Sequence, residues 1–210
     1  MSSPARFITF EGGEGAGKST QVPRLSSALS KRGIANIVTR EPGGSPGAEE
    51  IRKLLVEGEP GRWDAVTETL LLFAARADHV ARTIRPALDS GKWVICDRFT
   101  DSTCAYQGAG RGLPLETIAR IGSSAIGDFT PDLTLILDVP PDVAVDRIGS
   151  RTHAETRFEK FDSGFHARLR QFFRDLASRE PKRCVLIDAS GSEDAVAATI
   201  WRAVSQRFGV

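Results

Sequence analysis

The sequence predicts an α/β fold, a five-stranded parallel sheet flanked by helices, and three observations carry that reading. Short apolar runs alternate with helical patterns at the spacing of βαβ units, no repeat or low-complexity segment interrupts them, and the first apolar run feeds straight into a glycine-rich loop and a helix start. A length of 210 residues suits one domain with a sizeable core, so 1–210 is expected to be a single unit. The formal net charge of +1, with acids and bases interspersed, leaves no basic stripe of the kind that binds nucleic acid. No apolar span is long enough for a membrane, and the chain is expected in the cytoplasm. Cys96, Cys104 and Cys184 are odd in number and widely spaced, which fits reduced thiols, and His79, His153 and His166 form no metal pattern.

Each expected strand is a buried run bounded by charge or turn residues. Strand 6–11 closes on Glu11; 35–39 stops before Arg40; 93–97 ends in Asp97 followed by Arg98; 133–139 lies between Asp132 and Pro140; 184–188 closes on Asp188. Helices fill the intervals at about 17–33, 46–57, 64–90, 114–127, 140–150, 163–179 and 193–207. Parallel sheets gather ligands at the carboxyl ends of their strands. Glu11, Arg40, Asp97 and Asp138 all sit at or just past such ends, so they are expected to share a crevice.

The loop Gly12-Gly13-Glu14-Gly15-Ala16-Gly17-Lys18-Ser19, with Thr20 behind it, fits G-x-x-x-x-G-K-[ST]. Glycines let backbone N–H groups crowd around phosphate oxygens, Lys18 adds a point charge, and the opening helix turns its positive end toward them. The Ser19 hydroxyl is placed to ligate a magnesium ion that bridges the outer phosphates. The alternative, a glycine turn with a chance lysine, does not account for the strand before it and the helix after it. At Asp97-Arg98 a carboxylate can hold magnesium through water, and a guanidinium can stabilise charge spread over a transferring group. A strand-end salt bridge is the competing reading there, as it is for Arg40 before Pro42 and for Arg52 in the next helix.

Taken together, Glu-Gly-Gly-Glu-Gly-Ala-Gly-Lys-Ser-Thr (11–20), Thr-Arg-Glu-Pro-Gly-Gly (39–44), Asp-Arg-Phe (97–99) and Ser-Thr-Cys-Ala-Tyr-Gln-Gly (102–108) closely resemble the bacterial thymidylate kinases, which are P-loop nucleoside monophosphate kinases. The match extends through 131–139, Arg157-Phe158-Glu159 and Ile187-Asp188-Ala189. The resemblance implies a three-layer P-loop NTPase-type fold with a mobile lid at about 147–160, and a homodimer. It implies transfer of the γ-phosphoryl group of ATP to thymidine 5′-monophosphate (dTMP) with Mg2+, giving dTDP for dTTP biosynthesis.

Carried over residue by residue, it makes Arg52 and Arg98 the clamps on the monophosphate and puts Glu11 and Asp97 near the metal and the sugar. Arg40, Pro42, Ser102 and Thr103 complete the acceptor site. Tyr106 resembles the tyrosine that crowds the sugar's 2′ position, and Gln107 the side chain that hydrogen-bonds near thymine; a core tyrosine and a helix-end glutamine are the alternatives. Arg76 would donate to the base carbonyl O4. Phe73 precedes Arg76 by three residues where similar proteins have four, so either Phe73 or Leu72 forms the apolar platform under the base. Glu14-Gly15 stands where some relatives carry a loop arginine. The polar stretch around Arg147, Arg151 and Arg157 is therefore expected to supply that charge, Arg157 first and Arg151 second.

Other readings are a different small-molecule kinase or a non-enzymatic ATP-binding module. A GTP switch would need an Asn-Lys-x-Asp element, and the sequence has none.

Overall fold

In the computed structural model the described residues are 4–59, 61–149 and 161–210. Five strands, β1 (Phe7–Glu11), β2 (Asn36–Arg40), β3 (Trp93–Asp97), β4 (Leu133–Asp138) and β5 (Cys184–Asp188), form one parallel sheet in the order β2-β3-β1-β4-β5. The inner strands are apolar on both faces because helices cover both. From the central β1 the chain winds to β2 and β3 on one side and to β4 and β5 on the other. Pairing sets Asp97 level with both Phe10 and Arg40, so the ends of β1, β2 and β3 open at one height.

On one face, α1 (Lys18–Ser30) and α9 (Glu193–Phe208) cover Ile8, Phe10, Ile95 and Leu135. On the other, α3 (Ala65–His79) and α6 (Leu115–Ile126) cover Phe7, Val94 and Phe99. Between β2 and α3 lies α2 (Pro46–Val56), whose Pro46 suits a first helical turn. Asp64 caps α3 by accepting from the Val66 and Thr67 amides. The expected helix 64–90 is continuous but not uniform: α3 passes through a π-helical stretch, Val80–Ile84, into α4 (Arg85–Asp89).

One helical segment has no counterpart in the sequence reading. After β3 the chain forms α5 (Thr100–Thr103) and runs on as π-helix through Cys104–Gly110. Its small and polar residues, with Gly108 and Gly110 near the end, carry no apolar period that would announce it. α8 (Ser163–Arg179) packs on this segment, burying Phe165, Leu169 and Phe173 against Ala105 and Tyr106. α7 (Pro141–Gly149) carries Arg147, while 150–160, with Arg151, Arg157 and most of the expected lid, lies outside the described residues. Among the described residues no helix is long and apolar enough to cross a membrane.

Candidate active site

β1 delivers the glycine loop to the start of α1, and the loop divides two openings. Gly12 must be glycine: at its φ of +129° a Cβ would lie 2.4 Å from the Leu137 carbonyl oxygen. On the far side of the loop is a groove lined by Gly15, Ala16, Gly17, Ser19 and Thr20 together with Arg147, Ala189 and Gly191. Arg147 Nη1 donates to the Ala189 carbonyl at 2.9 Å. Lys18 is buried, and its Nζ donates to the carbonyl oxygens of Gly12 at 3.0 Å and Gly13 at 2.8 Å. Burial, then the nearby Arg98, push the Lys18 ammonium down to about 8, against the pull of Asp97, Glu14 and Glu11.

The second opening lies over the ends of β2 and β3. Arg40, Pro42, Arg52, Leu72 and Arg76 line one wall, and Asp97, Arg98, Ser102, Thr103, Tyr106 and Gln107 the other. Arg98 holds a positive φ of 70°, a conformation costing roughly 1–2 kcal/mol outside glycine. The backbone is pinned there by the Arg98 amide donating to the Phe10 carbonyl at 2.9 Å and the Phe99 amide donating to Glu11 Oε1 at 2.8 Å. That turn aims the guanidinium back at the loop. Nη1 donates to the Gly12 carbonyl and Ser102 Oγ, each at 3.1 Å, and Nη2 to Glu14 Oε1 at 2.7 Å. Burial disfavours its charge, but Glu14, Tyr106 and Asp97 outweigh this and hold its pKa above the ordinary value. Tyr106 also donates to Glu14 Oε1, at 2.8 Å, and burial raises its phenol. Arg52 Nη1 donates to the Pro42 carbonyl at 2.6 Å.

Two buried atoms beside this cavity have no hydrogen-bond partner among the described residues: Arg76 Nη1 and Gln107 Oε1. Gln107 Nε2 donates to Glu68 Oε1 at 2.7 Å, which fixes the amide with its oxygen turned away from that carboxylate. Arg76 Nε donates to Glu41 Oε2 at 2.7 Å, and Nη2 to Thr103 Oγ1 at 3.0 Å and the Phe99 carbonyl at 3.2 Å. Asp97 Oδ1 is a third buried atom at this cavity without a partner among the described residues.

Of the four strand-end residues expected to share a crevice, the structure brings Arg40 and Asp97 together in the second opening, and four expectations need correction. Phe73 does not line the cavity; it is buried in the core against Gly122, its ring centroid 4.6 Å from Arg76 Cζ, and Leu72 takes the cavity wall. One step along a helix is about 100°, enough to move a side chain from core to cavity. Glu11 lies beneath the site, fully buried, with Oε2 taking a hydrogen bond from Ser102 Oγ at 2.5 Å. Asp138 is held by Arg170 and Arg174 and stands apart from both openings. Glu14, read as a donor-side loop residue, turns its carboxylate into the second cavity. Sequence reasoning also passed over Glu41, Glu68 and His79 as functional groups; their only signal was a charge inside quoted motifs or an otherwise apolar helix.

A family model described as thymidylate kinase matches residues 10–200. The thymidylate kinase of Caulobacter vibrioides is 55% identical over 97% of this chain and 98% of its own length, and that of Jannaschia sp. 54% identical over 98% of each. The solved structure of the Ehrlichia chaffeensis thymidylate kinase superimposes with a TM-score of 0.75 at 34% identity, covering 95% of this chain and 98% of that one. On the family match, on identities above one half across nearly the whole length, and on the shared fold, this chain belongs to the thymidylate kinase family.

Proposed function

We propose that the chain transfers the γ-phosphoryl group of ATP to dTMP, giving ADP and dTDP. The observation that carries this reading is the pair of unpartnered atoms at the acceptor cavity, a donor at Arg76 Nη1 and an acceptor at Gln107 Oε1. Thymine offers the complement, a carbonyl acceptor at O4 beside an N–H donor at N3. Cytosine offers the reverse order and would leave both buried protein atoms facing like groups, a mismatch costing about 1–3 kcal/mol for each group. Leu72 supplies the apolar contact to the ring.

The remaining assignments follow the shape of the cavity. Arg52 and Arg98, with Arg40 at the rim, hold the acceptor phosphate; Ser102 orients Arg98, the Pro42 carbonyl orients Arg52, and Thr103 orients Arg76. Tyr106 and Glu14 face the sugar. The loop from Gly12 to Thr20 holds the donor phosphates through its N–H groups and Lys18. An acceptor phosphate oxygen attacks the γ-phosphorus, the bond to the bridging oxygen breaks, and ADP departs with that electron pair. The transition state is loose, so alignment and charge neutralisation supply most of the rate. Arg157, and after it Arg151, are assigned from the sequence to the charge on the transferring group.

Magnesium fits the residues present. The Ser19 hydroxyl is exposed at the start of α1, Asp97 Oδ1 is buried without a partner, and no group of three or more His, Cys, Asp or Glu stands ready elsewhere among the described residues. Such a sparse donor set suits an ion that takes most of its ligands from phosphate and water. When bound, it neutralises charge on the donor phosphates. Three free cysteines support a reducing cytoplasm. An apolar groove between α3 and α6, with Leu70, Ala74, Ala77, Ile121 and Ala125 on its walls, supports the homodimer.

A coupled ADP-release assay with ATP, magnesium and a panel of nucleoside monophosphates tests the proposal. The fastest acceptor is expected to be dTMP, with little ADP formed when no acceptor is present. A clear preference for AMP, CMP or GMP would sink it.

A further inference from the structure

Behind Arg76 runs a buried chain of polar side chains drawn from β2, the loop after it and α3. Glu41 Oε2 accepts from Arg76 Nε at 2.7 Å, while Oε1 lies 3.0 Å from His79 Nδ1. The other ring nitrogen, Nε2, lies 2.7 Å from Thr39 Oγ1. All four residues are buried. A carboxylate only accepts, so Nδ1 donates to Glu41, and in the neutral imidazole Nε2 then accepts a hydrogen bond from the Thr39 hydroxyl. Gly44 closes over this contact. At its φ of +86° a Cβ would sit 2.4 Å from both His79 Nε2 and Thr39 Oγ1, so a side chain there would break the pair apart.

The chain ends on a guanidinium with one direction left open. Nε and Nη2 are committed to Glu41, Thr103 and Phe99, and the Phe73 and Phe99 ring centroids lie 4.6 and 5.1 Å from Cζ. Where Nη1 points is therefore set by Glu41 Oε2 at Nε together with Thr103 and Phe99 at Nη2, and Glu41 is the one ionised acceptor of the three. A carboxylate anchored through one oxygen swings about its last bond; anchoring the second oxygen on His79 stops the swing. His79 itself is fully buried and does not line the cavity.

Resting on the reading of Arg76 as donor to thymine O4, we propose that His79, steadied by Thr39, is a positioning residue for base selection. It locks Glu41, and through Glu41 holds Arg76 Nη1 at the O4 edge. The reach of selectivity thus extends to two side chains that never meet the nucleotide.

The test compares kcat/KM for dTMP with that for 4-thio-dTMP, which keeps N3–H but replaces O4 with sulfur, a weak acceptor. Wild type should favour dTMP by about tenfold, the ratio that corresponds to about 1.4 kcal/mol. His79→Gln places its amide where Nε2 stood and keeps the Thr39 contact but loses the donor to Glu41; the preference should fall to within about twofold, through KM for dTMP, with KM for ATP unchanged. His79→Asn places an amide nitrogen where Nδ1 stood and should keep most of the preference. Retention in Gln overturns the proposal while leaving the O4 reading intact. Loss in both variants also overturns it, because ring bulk rather than the Nδ1 donor would then be in control. If wild type shows no preference, the O4 reading itself fails and the proposal with it. Should His79→Gln lose both acceptors equally, Thr39→Val repeats the measurement at nearly constant volume, and an unchanged preference there overturns the proposal.

Discussion

Lys18 rests its ammonium on two carbonyl oxygens of its own loop, so removing it takes away a charge that matters chiefly when phosphate is present. Lys18→Ala is expected to lower turnover by a factor on the order of 10²–10³, as for loss of one preorganised donor, with the thermal midpoint little changed. Both follow from a coupled assay and a melting curve. Glu11 carries a pH prediction. Burial, then the Asp101 charge, raise its carboxyl from 4.5 to about 8. Between those values the folded chain keeps a proton that the unfolded chain has released, so this contribution to stability is present at low pH and is lost as pH climbs toward 8. Glu11→Gln removes that loss, and its urea midpoint relative to wild type should rise from pH 5 to 8 and then level off. A gap that stays constant would refute the shift. For Tyr106, whose hydroxyl meets Glu14 and whose ring lines the cavity, Ala should erode discrimination against ribothymidine monophosphate while Phe keeps it. If instead both lose stability with selectivity intact, Tyr106 is core. At this scale the sequence made the cations legible, since motif spacing fixes Lys18 and Arg98, but Phe73 and Leu72 could not be separated because one residue of helix phase decides between core and cavity. The buried partners Glu41 and His79 were hidden for a related reason: a polar residue in a motif declares a charge, not which neighbour it will hold.

Among the elements, the five strands were readable to within a residue or so: the inner three are apolar runs that parallel pairing buries on both faces, and the half-exposed outer strands β2 and β5 are short runs bounded by charge or turn residues. The Thr100–Thr103 helix and its π-helical continuation were not readable, and they carry Ser102, Tyr106 and Gln107. Their stability comes from α8 rather than from local propensity. Gly110 marks the contact: a Cβ there would stand 2.4 Å from Phe165 Cε2 and 2.9 Å from Leu169 Cδ1. Gly110→Ala should therefore destabilise the protein by about 1–3 kcal/mol, the usual range for overpacking. Because Phe165 also meets Tyr106 edge-on at 5.9 Å, the same variant should raise KM for the nucleoside monophosphate more than KM for ATP. Urea titration and initial rates check the two halves separately.

At the level of the whole molecule, Leu70 is 52% exposed on α3 at the mouth of the α3–α6 groove. If that face is where two copies meet, Leu70→Glu should sediment as a monomer at concentrations where the parent is a dimer; an unchanged sedimentation coefficient would place the interface elsewhere. The near-balance of charge, +1 overall, leaves anion capture to the two openings rather than to a long-range field. Those openings share one reference point. The Gly12 carbonyl oxygen accepts from Lys18 on one side at 3.0 Å and from Arg98 on the other at 3.1 Å. Two cations surveyed from the same benchmark drift together when the loop drifts, so their separation varies less than the position of either. In a set of independently determined conformations, the spread in the distance from Lys18 Nζ to Arg98 Cζ should be narrower than the spread of each atom about the sheet. The register between the two substrates would then tolerate a breathing loop.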